Sequence, residues 1–198
     1  MNLEDYRMVF IGASLVLMLV AASPILSVVI PFSGGGERFS ELWVLGPTHM
    51  AEGYPFNVVI GEREQVFVGV GNHMGRSAYY VVYVKFRNQT QVAPNSTASM
   101  PSPLAPLYEF HAVVADGKTW ETSVSFSFLE APHSGDSFIV RKISINDVVF
   151  AVESLAVWDL AHMGFYYQLF FELWMYDDVV SGFRFHNRFV GIWLNMTV

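Results

Sequence analysis

The chain contains no cysteine, and that absence removes several classes of protein together. Without thiols there is no disulfide framework, no thiolate zinc or blue-copper centre, and no cysteine nucleophile. Charge is sparse as well: charged residues make up 15% of the chain, 11 basic against 18 acidic, for a formal net charge of −7. Setting aside Glu4, Asp5 and Arg7 leaves −6 on the remainder. The Lys and Arg residues are scattered, so no basic stripe exists to displace counterions, and nucleic acid is excluded as a partner. Anionic lipid headgroups are disfavoured for the same reason. Internal repeats, a βαβ rhythm and any compositional break that would mark a second domain are also lacking.

A long run that is both uncharged and apolar is present only once, from Val9 to Ile30. As a helix this run spans about 33 Å, enough for a hydrocarbon core of about 30 Å. Ala21-Ala22-Ser23 offers small residues of the kind found at a signal-peptide cleavage site. Pro24 directly after them, and the apolar residues continuing to Ile30, favour an uncleaved anchor. Arg7 and Arg38 balance each other across the span, so the positive-inside rule barely discriminates. A short N-terminal tail is the easier end to leave in the cytosol. Three N-glycosylation sequons, at Asn88, Asn95 and Asn195, are the expected glycan attachment sites and tip the remainder outward. The expected organisation is a cytoplasmic tail (residues 1–8), a transmembrane helix (9–30), a Gly-rich tether around Gly34-Gly35-Gly36 (31–38) and an extracytoplasmic domain (39–198). The expected place is the cell membrane, single-pass, with the C-terminal domain extracellular.

Beyond the tether the hydrophobic pattern has the period of strands. Seventeen Phe, nine Tyr and five Trp suit that reading. Alternation is clear over Phe39–Leu45, Phe56–Ile60, Gln65–Gly71 and Ser77–Arg87, where Tyr79, Val81, Tyr83, Lys85 and Arg87 share a face. It resumes over Leu107–Val114, Glu121–Phe128, Ser137–Ile143, Val148–Glu153, Phe165–Tyr176 and Phe183–Thr197. In the last of these, Val190, Ile192, Leu194 and Met196 mark the inner side. Ser154–Met163 loosely fits a short helix, and Asn88–Pro106 reads as an exposed Ser/Thr/Pro-rich loop. The expected fold is mainly β: an immunoglobulin-like β-sandwich of about 8–10 strands.

The stretch Phe39-Ser-Glu-Leu-Trp-Val-Leu-Gly-Pro47 is followed by Met50-Ala-Glu-Gly-Tyr-Pro-Phe-Asn57 and Val66-Phe-Val-Gly-Val-Gly-Asn-His73. With Phe171-Glu-Leu-Trp174 and Ile192-Trp-Leu-Asn-Met-Thr197, these segments resemble an archaeal family of uncharacterised membrane proteins. They bracket nearly the whole outward domain. The resemblance implies an archaeal surface protein with a sandwich-like domain outside the cell, and no assigned chemistry. Many members of that family carry several membrane helices before this domain, whereas this chain has one apolar run.

Constellations that can carry chemistry are few. Three His-Met pairs, His49-Met50, His73-Met74 and His162-Met163, combine imidazole with thioether, a soft set suited to copper. Adjacent strand residues point to opposite faces, however, which favours turn and core roles. His133-Ser-Gly-Asp-Ser137 has the letters of a hydrolase triad but is too local for that geometry. Gly69-Val-Gly71-Asn-His-Met-Gly75 reads as a hairpin turn, with no helix after it to complete a dinucleotide loop. Asp177 and Asp178 are turn-formers rather than an oxygen cage for calcium. Trp43, Trp158, Trp174 and Trp193 are core residues of a sandwich or, if exposed together, a sugar-stacking platform. No catalytic residue, metal site or cofactor is expected.

The reading that results is a non-enzymatic, single-pass surface protein that touches the bilayer through residues 9–30. Its β-sandwich binds or scaffolds a protein or glycan partner, as an accessory subunit of a membrane complex. The alternatives are a carbohydrate-binding or glycosyltransferase-associated component of envelope glycan assembly, and a His/Met copper protein. An exposed row of Trp or Tyr beside polar side chains distinguishes the former, and convergence of the His-Met pairs the latter.

Overall fold

The computed structural model describes residues 3–29 and 37–197, with helix side chains described at 6, 7 and 9–21. The chain divides into two compact units, Met1–Arg38 and Phe39–Val198. The first contains α1 (Leu3–Val29), which begins within the expected tail. Among the described residues no helix is long and apolar enough to cross a membrane. The apolar side chains described, Val9 to Ala21, cover only about 20 Å at the rise of an α-helix. They do not by themselves support the transmembrane span expected over residues 9–30, whose second half lies beyond them. The expected tether, with Gly34, Gly35 and Gly36, lies outside the described residues.

The second unit is mainly β and consistent with a β-sandwich. Its strands are β1 (Phe39–Leu45), β2 (Asn57–Val59), β3 (Glu64–His73), β4 (Ala78–Asn88), β5 (Tyr108–Val114), β6 (Lys118–Glu130), β7 (His133–Ser134), β8 (Ser137–Ile145), β9 (Val148–Val157), β10 (Tyr166–Asp177) and β11 (Gly182–Thr197). One sheet runs β1-β3-β6-β8, with β7 and β9 both pairing β8; the other runs β2-β11-β10-β4-β5. All pairings are antiparallel except β2 with β11. An immunoglobulin sheet of strands A-B-E-D needs the outermost strand to precede its neighbour in the chain. Here β6, β8 and β9 instead follow one another outward as a meander, so the first sheet departs from that order.

The core forms where two alternations meet. Tyr80, Val82, Val84 and Phe86 of β4 and Tyr167, Leu169, Phe171 and Leu173 of β10 face inward. Val66, Val68 and Val70 of β3 and Val124, Phe126 and Phe128 of β6 oppose them from the other sheet. Ile192, Leu194 and Met196 are buried from β11 with Val190 partly so, the inner face expected from the sequence. The Tyr167 hydroxyl donates to the Phe138 carbonyl at 2.6 Å, and burial pushes its pKa up to about 12.

Three expectations need correction. Ser154–Met163 is no helix: β9 continues to Val157, with Ser154 and Ala156 buried and Leu155 and Val157 exposed, a period of two. The chain then turns, closed by the bridge between Asp159 and Gly164. Gly71 and Asn72 lie within β3 rather than in a turn. A Cβ at Gly69 would meet the Trp43 indole at 2.3 Å, and one at Gly71 would meet Glu41 Oε2 at 2.5 Å. Both glycines leave room for side chains of β1 to lie across the sheet. The segment between β4 and β5 is also more than an exposed loop, because Ser102 within it is buried against the outer face of the second sheet.

Candidate functional site

The outer face of the second sheet carries a row of polar and aromatic side chains. Opposite phases of β4, β10 and β11 align Arg87, Gln168 and Trp193 in one cross-strand row. Arg87 is nearly buried there: its Nε donates to Gln168 Oε1 at 2.7 Å and Nη1 to the Gln91 carbonyl at 2.7 Å. The Trp193 indole lies over the guanidinium, 5.0 Å from Cζ to the ring centroid. This geometry favours a cation–π contact and holds the ring in place. Trp193 is nevertheless 41% exposed, a platform with one face free.

Beside Trp193 is a cleft of about 500 Å³ lined by Phe56, Gln89, Asp159, His162, Tyr166 and Trp193. Phe56 precedes β2 and is held by its carbonyl, which accepts the Asn195 N–H at 2.6 Å. Its ring meets Tyr166 at 6.0 Å. The turn after β9 supplies the polar wall. Asp159 Oδ1 accepts the amides of Ala161 and His162, and its other oxygen lies 2.9 Å from His162 Nδ1. The Tyr166 hydroxyl donates to the His162 carbonyl at 2.5 Å. These bonds fix the imidazole at one nitrogen and leave Nε2 available to a ligand. The hydrogen bond to His162 also holds the Asp159 carboxyl below its ordinary pKa, so it stays ionised near neutrality. Aromatic faces beside a few placed polar groups are the composition of a small-molecule or sugar cleft.

The structure separates most residues singled out in the sequence. Trp43, Trp158 and Trp174 do not join Trp193 in this cleft. Trp43 donates Nε1 to Glu121 Oε2 at 3.1 Å, Trp158 packs edge-on against Phe165, and Trp174 donates to Glu172. The His-Met pairs do not converge. His49 stacks on Phe67, and His73 lies six residues further along β3, about 20 Å away at strand rise. Among the described residues, no three His, Cys, Asp or Glu side chains cluster as a metal site. His133 and Ser134 pair with Phe138 and Ser137 in a local hairpin. Asp177 is engaged by the Val179 amide and Arg184, and Asp178 lies 3.6 Å from Arg76.

The three sequons differ sharply in geometry. Asn88 is 9% exposed; its Nδ2 donates to the Leu155 carbonyl at 2.6 Å while Oδ1 accepts from Thr90 and Gln91. Asn195 Nδ2 donates to Asn57 Oδ1 at 3.0 Å, and its Oδ1 accepts the Phe165 amide. Asn95 is exposed at the start of a turn, its Oδ1 accepting the Ala98 amide at 2.9 Å.

Sequence reasoning named Trp193 but missed Phe56, Gln89, Asp159 and Tyr166 as its neighbours. The available signal is one of phase. Trp193 sits between inward Ile192 and Leu194, and Tyr166 precedes inward Tyr167, so both aromatics fall on the side a polar residue normally takes. No curated protein matches the chain. Among solved structures, a β-glucosidase from Listeria innocua with gluconolactone aligns at 16% identity and a TM-score of 0.34. The same enzyme with glucose aligns at a TM-score of 0.33. Each alignment covers 60% of this chain and 16% of the enzyme's length, and at that score the likeness carries no argument. Over residues 33–134, just over half of its length, the chain matches the family described as "Domain of unknown function (DUF1616)", and it belongs to that family.

Proposed function

We propose that this chain is a single-pass, membrane-anchored surface protein whose outward β-sandwich recognises a glycan without transforming it. In this role it serves as an accessory component of an envelope membrane complex. The observation that carries the binding role is the cleft of Phe56, Tyr166 and Trp193 beside Gln89, Asp159 and His162. A pyranose offers a flat C–H face to such rings and a rim of hydroxyls to such polar groups. The anchor rests on the uncharged run Val9–Ile30 and on α1, where Phe10, Leu17 and Met18 are 76%, 73% and 75% exposed. A helix apolar on every side belongs in a core or in a membrane. The absence of chemistry rests on the cleft wall, whose lining includes a single carboxylate, Asp159, already hydrogen-bonded through both oxygens. Glycoside hydrolysis ordinarily takes two.

The test is an array of neutral and acidic glycans probed with the full chain in a detergent lacking a sugar headgroup. Binding is expected, and Trp193→Ala is expected to weaken it about 10- to 100-fold, as removal of a central aromatic anchor does. Capture of no glycan, or an unchanged affinity in that variant, sinks the reading.

Outward display has a separate consequence. In a host that N-glycosylates exported chains, glycopeptide mass spectrometry should find Asn95 occupied and Asn88 and Asn195 empty. The latter two amides are committed to internal acceptors. Occupancy of Asn88 in folded protein would contradict this geometry.

A further inference from the structure

We infer that the β10–β11 hairpin end of the β domain rests in the interface of a bilayer with zwitterionic headgroups, an inference that rests on the membrane-anchored reading above. Val179 and Val180 lie in the turn of that hairpin and are 92% and 55% exposed. Behind the turn, Val113 of β5, Tyr79 of β4, and Tyr176 and Phe183 of β10 and β11 follow one another across the outer face of the second sheet. Val113 is 74% exposed, and the three rings pack on one another with centroids 5.0 to 6.3 Å apart. The Tyr79 hydroxyl lies 2.8 Å from His111 Nδ1, which gives this collar of rings a polar edge. Exposed aliphatic side chains beyond rings that are apolar on one side and wet on the other match the gradient of a membrane interface.

Chain length and charge select the occupant. The uncharged run ends at Ile30 and β1 begins at Phe39. Residues 31–38 between them span at most about 29 Å when fully extended. Phe39 belongs to the hairpin end of the domain. It pairs with His73 and stacks on its ring, and Arg76, in the turn that follows, lies 3.6 Å from Asp178 of the hairpin. The cleft at Tyr166 is at the other end of β10, about 34 Å from Tyr176 at strand rise. In an anchored chain, a connection this short keeps the hairpin end within reach of the bilayer and leaves the cleft on the far side, open to a ligand. The charges of the hairpin are matched: Arg184 donates to Asp177 at 3.0 Å, and Asp178 faces Arg76. Two cations against two anions leave no field that calls for anionic lipid, so partition of apolar side chains drives the contact.

Because the chain has no cysteine, a spin label on one introduced cysteine reports a single place. The test uses the full chain carrying Val179→Cys, Leu160→Cys or Leu17→Cys, each at an exposed side chain, so the core is left intact. The labelled proteins are reconstituted in phosphatidylcholine vesicles. Power-saturation electron paramagnetic resonance then compares collisions with oxygen, which concentrates in lipid, and with a water-soluble nickel chelate. The label at Val179 should favour oxygen and lie about 5–10 Å into the headgroup and acyl boundary, as interfacial apolar groups do. The label at Leu160, in the turn beside the cleft, should favour the chelate. Adding phosphatidylglycerol should change neither. An aqueous label at Val179 with a lipid-exposed one at Leu17 overturns the docking and leaves the anchor standing. An aqueous label at Leu17 overturns the anchor and this inference with it. A Val179 label shielded from both reagents means that protein, a second copy or a partner, covers the hairpin, and overturns the lipid contact. A lipid signal that appears only with phosphatidylglycerol overturns the zwitterionic class.

Discussion

Replacing Glu172 by Ala should destabilise the β domain by about 3–5 kcal/mol, the usual consequence of removing one partner from a buried ion pair. Glu172 is fully buried on the outer face of β10, and Lys85 of β4, 3% exposed, places Nζ 2.8 Å from its carboxylate. The pair has further partners. Glu172 Oε1 accepts the Ser102 amide at 2.7 Å, Oε2 accepts Trp174 Nε1 at 3.1 Å, and Lys85 donates to the Ser102 carbonyl at 2.9 Å. With the carboxylate gone, a buried ammonium keeps the Ser102 carbonyl but loses its counter-charge, and two donors lose their acceptor. For a domain of this size the expected fall in Tm is roughly 8–15 °C, followed by tryptophan fluorescence.

The double variant Lys85→Met/Glu172→Leu should be less destabilised than either single one, because no charge is left unpaired. It should not recover fully, since Ser102 loses partners for both its N–H and its C=O. The segment from Gln89 to Leu107, which Ser102 pins to the sheet, should become more sensitive to limited proteolysis in all three variants. A Glu172→Ala cost below about 1 kcal/mol would mean that water reaches the carboxylate and that the pair is not sealed.

The second large effect is expected at Asn72. Its side chain is completely buried and uses its full capacity: Nδ2 donates to the carbonyls of Arg76 and Val114 at 2.8 and 2.7 Å, and Oδ1 accepts from the Met74 amide and the Tyr80 hydroxyl at 3.0 and 3.1 Å. One residue thus closes the turn after β3, ties it to the end of β5 and orients a core tyrosine. Tyr80 in turn meets Ser40 Oγ of β1 at 2.7 Å, and its burial raises its pKa. Asn72→Leu keeps the branched shape and the number of side-chain heavy atoms and removes every bond. A cost of about 3 kcal/mol is expected, from several buried polar groups each left partly unsatisfied. Asn72→Asp keeps the acceptors, loses the two donations and buries a charge, so it should cost at least as much at neutral pH. Urea unfolding of the three proteins checks this, and near-equal midpoints would show that water replaces the amide.

Both sites explain why certain motifs stand out in the sequence while their purpose does not. Val66–His73 looks like a glycine-rich turn because Gly71 and Asn72 are common turn residues. Only the register of β1 against β3 shows that Gly69 and Gly71 make room for Trp43 and Glu41. Phe171-Glu-Leu-Trp174 alternates as a strand should, yet a glutamate on the outer phase is normally read as solvated. Its burial depends on Ser102, 70 residues earlier in the chain. Likewise, Trp193 is named in the sequence only with three other tryptophans as core or platform, and its neighbours Phe56, Asp159 and Gln89 come from three other segments.

By itself, the sequence determined the class: mainly β, from alternation that repeats with short turns, with one uncharged apolar run before it. Those properties are local, because the period of a strand and the length of a helix are set by neighbouring residues. It also excluded thiol chemistry, since a chain without cysteine has no thiol. Only the tertiary structure decided that β6, β8 and β9 form a meander, that two of three sequon amides are already spent, that the His-Met pairs stay apart, and that aromatics from β10, β11 and the segment before β2 line a cleft. Each of these is a matter of which distant segments share a face. Strand order and register set that, and a pattern with a period of two does not encode which strand lies beside which.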